Sequence, residues 1–270
     1  MAQLQPDSSV VADVVASPNH DERRNDANPN MIVLHYTGMP DAAAALQRLC
    51  SPTSEVSSHY VVFEDGRIVQ CVAETRRAWH AGVSFWAGET DINSCSIGIE
   101  IANPGHDYDY PDFPRRQIAA VITLCRGISA RRHIRPDRVL AHSDVAPSRK
   151  KDPGERFPWR LLHESGVGHW VEPAPLGEGD ALALGDQSDA VKELQSALAE
   201  YGYEVTTNGK FDSQTQDAVT AFQRHFRPAR VDGLSDSSTR TTLRKLIEAR
   251  KVFLSRESMS PVKSVLRSGS

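Results

Sequence analysis

The sequence predicts an α/β fold, in which a mixed central sheet is flanked by helices and a small C-terminal three-helix bundle follows. Strand patterns and amphipathic helix patterns alternate over roughly the first 170 residues. After a segment rich in proline, glycine and acidic residues, three apolar stripes recur at helical spacing. The 270 residues, 39% hydrophobic and 24% charged, suffice for one sizeable core and a smaller domain.

These patterns divide the chain into five segments. Residues 1–27 form an N-terminal extension, 28–170 the main α/β domain, 171–181 a linker and 182–250 a helical domain. The linker is assigned because its proline, glycine and acidic residues show no periodicity. Residues 251–270 are serine-rich, and we expect this tail to be disordered.

The main domain begins with a strand, a helix and a hairpin. Met31 to Thr37 is an apolar run that predicts a buried strand, and residues 41–49 predict a short helix. Residues 60–63 and 67–72 flank Asp65-Gly66, which is a strong hairpin signal. The sheet is therefore expected to contain this antiparallel hairpin as well as strand pairs between segments that are distant in the chain.

Two more strands and a long helix complete this domain. Ser96 to Ala102 alternates in the manner of a strand, and Val139 to Ala141 predicts another. Between them, apolar side chains from Ile118 to Ile128 recur at helical spacing. We expect that amphipathic helix to cover the sheet.

The ends of three predicted strands carry residues that suit a metal site. His35 ends the first strand, Glu100 lies in the second, and His142 follows the third. Lys150 and Asp152 lie just beyond, in a loop short enough for Asp152 to fold back toward His142. We predict that His35, His142 and Asp152 hold one catalytic zinc ion.

This combination of residue types suits metal-assisted amide hydrolysis. Hydrolytic zinc usually takes three protein ligands and lowers the pKa of a water in the fourth position to roughly 7. Glu100 is expected to take a proton from that water and pass it to the leaving nitrogen. Lys150 is expected to stabilise the developing oxyanion.

Several motifs also carry a family resemblance. They are VLHYT at 33–37, AWHAG at 78–82, DINSCSIGIE at 91–100, AHSD at 141–144 and RKKDPG at 149–154. In this order they resemble the zinc-dependent N-acetylmuramoyl-L-alanine amidases of the AmpD-like type, over roughly residues 28 to 165. The resemblance implies the fold shared by these amidases and the peptidoglycan-recognition proteins.

The resemblance also implies residue roles and a substrate. It assigns the zinc ligands to His35, His142 and Asp152 and the catalytic roles to Glu100 and Lys150. It implies that the scissile amide joins N-acetylmuramic acid to L-alanine in peptidoglycan or muropeptides. The substrate-binding residues that it implies are His80, Trp79 and Asn93.

Each of these residues also has a structural alternative. A single histidine at a strand end, such as His35, is more often a structural residue than a ligand. His80 could cap a turn in its loop, and Lys150 could be one of several surface cations. Glu100 could face solvent, depending on which face of its strand is buried.

The segment after the linker predicts three helices. Their apolar stripes are Val191, Leu194 and Leu198; Ala218, Val219, Phe222 and Phe226; and Leu243, Leu246 and Ile247. Ser213 and Gln216 suggest a capping box at the second helix. With the turn at 208–212 and the VDGL motif at 231–234, this segment resembles the peptidoglycan-binding module often attached to cell-wall hydrolases.

Composition excludes several other functions. A net charge of −4 and a pI near 6.2 give no sign of binding to nucleic acid or to anionic membranes. The four cysteines, without a C-x-x-C pair, are expected to be buried free thiols. No apolar run approaches the roughly 20 residues of a transmembrane helix. Nothing in the sequence specifies an oligomeric state.

The first twenty residues contain no lysine or arginine, so no secretory signal is evident and the chain is expected to be cytoplasmic. The cell envelope is the alternative, because some amidases of this type are exported and carry an extra binding domain.

Two alternative functions also stay open. One is a peptidoglycan-recognition protein that binds without cutting, and the other is a zinc hydrolase of a different amide.

Overall fold

The strands of the protein lie in two sheets. The structure, a computed structural model, describes residues 4–177 and 179–258. The strands are β1 Asp13–Val14, β2 His20–Glu22, β3 Met31–Tyr36, β4 Tyr60–Val62, β5 Ile68–Gln70, β6 Arg76–Ala78, β7 Ser96–Ile101 and β8 Val139–Ala141. The main sheet has the order β1-β5-β4-β7-β3-β8, and β2 pairs with β6 in a separate ribbon.

Eight α-helices accompany these strands in the described ranges. They are α1 Ala42–Leu49, α2 Ile92–Cys95, α3 Arg115–Arg132, α4 His142–Val145, α5 Trp159–Glu164, α6 Asp189–Tyr201, α7 Ser213–Phe226 and α8 Ser237–Ser258. Short 3-10 helices occupy Arg24–Asp26 and Pro136–Arg138. The predicted α/β class, with a mixed sheet flanked by helices and C-terminal helices beyond it, is confirmed.

The centre of the sheet is parallel, and this brings distant segments together. Strand β3 pairs in parallel with both β7 and β8, whereas β4 and β5 form the predicted antiparallel hairpin. The first five residues of β3 are buried, because its neighbours and the flanking helices cover both faces. In this register His35 lies opposite Glu100, and Leu34 lies opposite Ala141. The strand ends therefore meet at one edge.

The N-terminal segment, to which the sequence assigned no element, is part of this fold. Strand β1 extends the main sheet beside β5, and β2 pairs with β6. The buried guanidinium of Arg23 donates hydrogen bonds to the carbonyls of Glu74, Ser94 and Ser96 at 2.7 to 3.2 Å. Burial lowers its pKa to about 10, so the group stays charged at neutral pH.

We expect Arg23→Ala to lower the free energy of unfolding by about 3 kcal/mol or more, because several buried carbonyls lose their donor. Urea denaturation measures this change. The control is Arg126→Ala on the exposed side of α3, which should stay within about 0.5 kcal/mol of the wild type. Equal midpoints for both variants would contradict a structural role for Arg23.

The three C-terminal helices pack as a bundle, and we call residues 182–258 the C-terminal module. All of the predicted apolar stripe residues on α6, α7 and α8 are buried. One detail of the prediction is wrong, because the N-cap of α7 is Asp212 rather than Ser213. The Asp212 carboxylate accepts a hydrogen bond from Thr215 N at 2.9 Å and so satisfies a free donor of the first turn.

Helix α8 continues to Ser258, eight residues into the segment predicted to be disordered. Tertiary contacts stabilise the helix in this segment despite its serine-rich composition. The Arg250 guanidinium donates to the Tyr201 carbonyl at 2.7 Å, and the ring of Phe253 lies 5.2 Å from that of His169. The rest of the predicted tail, residues 259–270, lies outside the described residues.

Two further expectations concern the chain as a whole. The four cysteines are free thiols, as predicted, and only Cys50 is partly exposed. Within the described ranges, no helix combines the length and apolarity needed to span a bilayer.

Candidate active site

Three buried side chains from separate segments converge at the edge where the parallel strands end. His35, His142 and Asp152 are 1%, 3% and 6% exposed. The Nδ1 atoms of the two histidines are 2.9 Å apart, and Asp152 Oδ2 lies 3.1 Å from His35 Nδ1 and 2.9 Å from His142 Nδ1. The structure thus brings together the three predicted ligands.

The hydrogen bonds behind His35 fix its tautomer. The Ser96 hydroxyl donates its one proton to the Ile92 carbonyl at 2.6 Å, so its oxygen must accept from His80 Nε2, 3.1 Å away. Neutral His80 therefore presents an Nδ1 lone pair, which accepts from His35 Nε2–H at 3.0 Å. Consequently His35 Nδ1 carries a lone pair that faces the other two ligands.

His142 is oriented in the same way. Its Nε2–H donates to the Ala81 carbonyl at 3.2 Å, which leaves a lone pair on Nδ1. Two imidazole lone pairs and one carboxylate oxygen then face a common point and would repel one another without a cation. Two histidine nitrogens and one carboxylate oxygen form a familiar donor set for catalytic zinc, and second partners that fix histidine orientation are typical of metal sites.

Burial and neighbouring groups keep His35 and Asp152 in the protonation states that a metal requires. Burial, followed by the neighbouring His142, lowers the pKa of His35 to about 4, so the imidazole is neutral at pH 7. Burial alone would raise the pKa of Asp152, but the two imidazoles outweigh it and hold that pKa well below its usual range. At physiological pH His35 is therefore neutral and Asp152 is ionised.

Glu100 lies beside the ligand cluster on the neighbouring strand. It is the register partner of His35 across β3 and β7, so both side chains project from the same face of the sheet. Its Oε2 atom is buried and has no hydrogen-bond partner among the described residues. Burial, followed by the charge of Asp152, raises its pKa well above the ordinary value. A carboxyl group in this state is suited to carry a proton.

Lys150 supplies a positive charge at the same place. It is partly exposed and lines the cleft together with Glu100 and the three clustered ligands. Its charge lowers the pKa of both His35 and Glu100, though less than the other influences on those groups. The cation predicted from the sequence is thus within electrostatic reach of the cluster.

The cleft above the cluster has a volume of about 330 Å³. Its lining includes the three predicted ligands and Glu100, together with Tyr36, Met39, Arg48 and Trp79. Among the described residues, the Arg48 side chain has no ion-pair partner, so its charge is available to a ligand in the cleft. Arg48 was missed in the sequence because nothing marks which side of α1 faces a cleft.

The three residues expected to bind substrate occupy different positions. Trp79 lines the cleft, and its indole N–H donates to Asp21 at 3.2 Å. His80 lines it too, but both of its ring nitrogens are engaged with His35 and Ser96. Substrate contact by Trp79 and His80 stays a prediction.

Asn93 has a structural role in the same region. It is buried and is not among the described residues that line the cleft. Its side-chain oxygen accepts hydrogen bonds from His80 N at 3.0 Å and Ala81 N at 2.8 Å. These bonds hold the loop that supports both ligand histidines, so direct substrate contact by Asn93 stays a prediction without a matching geometry.

The position of His80 depends on a glycine in β7. A Cβ atom at Gly98 would lie 2.4 Å from His80 Cγ, which is too close for any side chain. The imidazole therefore packs directly on the strand backbone. This support of His35 through His80 was not visible in the sequence, where Gly98 looked like an ordinary strand residue.

Comparisons with known proteins give matches to both parts of this chain. A family model described as N-acetylmuramoyl-L-alanine amidase matches residues 25–155, and a model described as a peptidoglycan binding domain matches residues 187–243. N-acetylmuramoyl-L-alanine amidase AmiD of Escherichia coli is 37% identical over 230 residues, which cover 81% of this chain and 82% of AmiD.

Two solved structures are similar over most of their length. The complex of AmiD from E. coli with the substrate anhydro-N-acetylmuramic acid-L-Ala-D-gamma-Glu-L-Lys has a TM-score of 0.70 and 36% identity, and it covers 84% of this chain and 93% of that chain. AmpDh3 from Pseudomonas aeruginosa in complex with anhydromuramic pentapeptide has a TM-score of 0.68 and 31% identity, with 93% and 99% covered.

Proposed function

Because this chain belongs to the N-acetylmuramoyl-L-alanine amidase family, we propose that it hydrolyses the amide between N-acetylmuramic acid and L-alanine with zinc held by His35, His142 and Asp152. The observation that carries the proposal is the convergence of two oriented imidazole lone pairs and one carboxylate within 3.1 Å. When bound there, zinc supplies a water that is nucleophilic at neutral pH and polarises the substrate carbonyl.

Glu100 is the proton carrier of the proposed reaction. Its buried, unpartnered oxygen and its raised pKa suit a group that accepts a proton from the attacking water. The same carboxyl group then gives the proton to the leaving nitrogen of L-alanine, and it returns to its ionised form. Without this transfer the amine would have to leave as an unstable anion.

Lys150 stabilises the charge that develops on the carbonyl oxygen of the scissile amide. Lys150 lines the same cleft as the three proposed ligands, so its positive charge is already in place where the oxyanion would develop. The charge on the oxygen is greater in the transition state than in the ground state. Lys150 therefore favours turnover more than binding.

The proposed substrates are soluble anhydro-muropeptides. The similar structures of AmiD and AmpDh3 contain fragments of this kind. A γ-linked D-glutamate, as in the AmiD ligand, has a free α-carboxylate. We assign that group to Arg48, which lines the cleft and has no ion-pair partner among the described residues. The peptidoglycan binding domain would add contacts with longer glycan.

Incubation of the purified chain with an anhydro-muropeptide should release the free peptide stem, measured by mass spectrometry. Removal of metal with a chelator should lower the rate by about three orders of magnitude or more, and one equivalent of zinc should restore it. Metal analysis of the active protein should find one zinc per chain.

Three outcomes would contradict parts of this proposal. Full turnover in a metal-free preparation would exclude the zinc mechanism. Zinc binding and muropeptide binding without release of the stem would identify a recognition protein. Cleavage of simple acyl-amino acids in preference to muropeptides would place the scissile bond in another class of amide.

A further inference from the structure

Helix α4 is a single turn that begins with His142, and it is also hydrogen-bonded to the backbone of Asp152. Ser143 N donates a hydrogen bond to the Asp152 carbonyl at 3.0 Å. Asp144 is fully buried, and its Oδ2 accepts from Ala141 N at 2.8 Å, which caps the start of the turn. The position of α4 therefore sets two of the three proposed ligands.

The other hydrogen bonds to Asp144 come from the C-terminal module. The Tyr203 hydroxyl donates to Oδ1 at 2.6 Å, and His225 Nδ1–H donates to Oδ2 at 2.6 Å. Both hydrogen bonds are short, and they tie Asp144 closely to the module. The donors are 59 and 81 residues away in the chain, so the module itself satisfies both carboxylate oxygens.

The surroundings of these two donors are apolar and closed. The ring of His225 stacks on that of Trp159 with centroids 3.6 Å apart, and the ring of Tyr203 meets that of Trp86 edge to face at 4.9 Å. All four side chains are buried. A buried carboxylate needs hydrogen-bond donors, and water cannot replace these two unless the contact opens.

We propose that the C-terminal module is a structural part of the metal site. Tyr203 and His225 hold α4 in place through their hydrogen bonds to Asp144, and α4 in turn positions His142. Both are positioning residues, because their hydrogen bonds go to Asp144 and neither lines the cleft that contains the proposed ligands. Groups that orient metal ligands from behind typically change metal affinity or activity by 10- to 100-fold. This inference rests on the zinc amidase function proposed above.

The first test uses Tyr203→Phe in the full chain, with Tyr201→Phe as the matched control. Tyr201 is an equally buried tyrosine of the module, and its hydroxyl bonds to His169 at 2.9 Å rather than to Asp144. We expect Tyr203→Phe to lose zinc to a competing chelator about 10-fold more readily and to lower kcat on an anhydro-muropeptide about 10-fold. KM should not change, and Tyr201→Phe should stay within about two-fold of wild type in all three measurements.

The second test compares two replacements of His225. Phenylalanine keeps an aromatic ring against Trp159 but cannot donate to Asp144, whereas asparagine offers an N–H near the position of Nδ1. We expect zinc retention to fall about 10-fold in His225→Phe and to be largely restored in His225→Asn. If His225 acted only through packing, His225→Phe would retain zinc better than His225→Asn.

The outcomes separate this inference from the function on which it rests. If Tyr203→Phe holds zinc as firmly as the wild type, or if Tyr201→Phe loses as much, the positioning role is overturned. If His225→Phe outperforms His225→Asn, it is overturned as well. A wild-type chain that hydrolyses muropeptides without metal would instead overturn the proposed zinc mechanism. Circular dichroism and the metal-free unfolding temperature verify that each variant folds.

Discussion

Glu100→Gln is expected to lower kcat on an anhydro-muropeptide by about 1000-fold while one zinc per chain stays bound. Positioned acid–base groups contribute roughly 10²- to 10⁴-fold to rate, and the amide cannot accept a proton from the attacking water. The substitution preserves the shape of a side chain that lies beside His35 in the sheet. Steady-state kinetics together with metal analysis measure the two quantities separately.

The matched control for Glu100 is Glu74→Gln. Glu74 is a fully buried carboxylate outside the cleft, paired with Arg131 and Arg132 at 2.6 and 2.8 Å. Its replacement should lower the unfolding temperature yet leave kcat within about two-fold, because it is not near the reacting atoms. If Glu100→Gln loses zinc together with turnover, Glu100 is a metal ligand. If it keeps full turnover, another group carries the proton.

Asp152→Asn is expected to reduce zinc content from one per chain to nearly zero and to lower activity by about 1000-fold or more. The substitution removes the one negative charge among the three ligands, and a neutral amide oxygen binds zinc far more weakly than a carboxylate. The two histidine nitrogens that remain do not form a tight site. Metal analysis after gel filtration and the rate of stem release provide the measurements.

Asp137→Asn is the control for that variant. Asp137 is as buried as Asp152, at 6% exposed, but it pairs with Arg135 at 2.9 Å away from the cleft. We expect full zinc content and activity within about two-fold of wild type. Retention of stoichiometric zinc in Asp152→Asn would remove this aspartate from the ligand set and would require a different third donor.

The centre of the fold was predictable because its signals are local. The apolar run of β3 and the alternation of β7 marked strands, and carboxyl ends of parallel strands meet at one edge. The sequence alone therefore predicts that His35, Glu100 and His142 lie close together. The Asp152 loop is short, which limited where its carboxylate could lie.

The parts that sequence reasoning missed depend on long-range contacts. Strands β1 and β2 have two and three residues and no apolar pattern, so their pairing partners define them. Helix α8 extends through a serine-rich stretch because Arg250 and Phe253 find partners there. No local sequence pattern predicts the hydrogen bonds from Tyr203 and His225 to Asp144, because the contact between two domains depends on both segments together.

The parallel pairing of β3 with β7 and β8 also affects how the enzyme matures. The ligand contacts of His35 span 107 and 117 residues, so the ion-binding geometry is a feature of high contact order. Such contacts form late in folding, because bringing distant segments together costs conformational entropy before the contacts can stabilise the chain. On the zinc mechanism proposed above, we expect zinc to bind tightly only to chains whose sheet is already assembled, and by mass action to stabilise the folded chain.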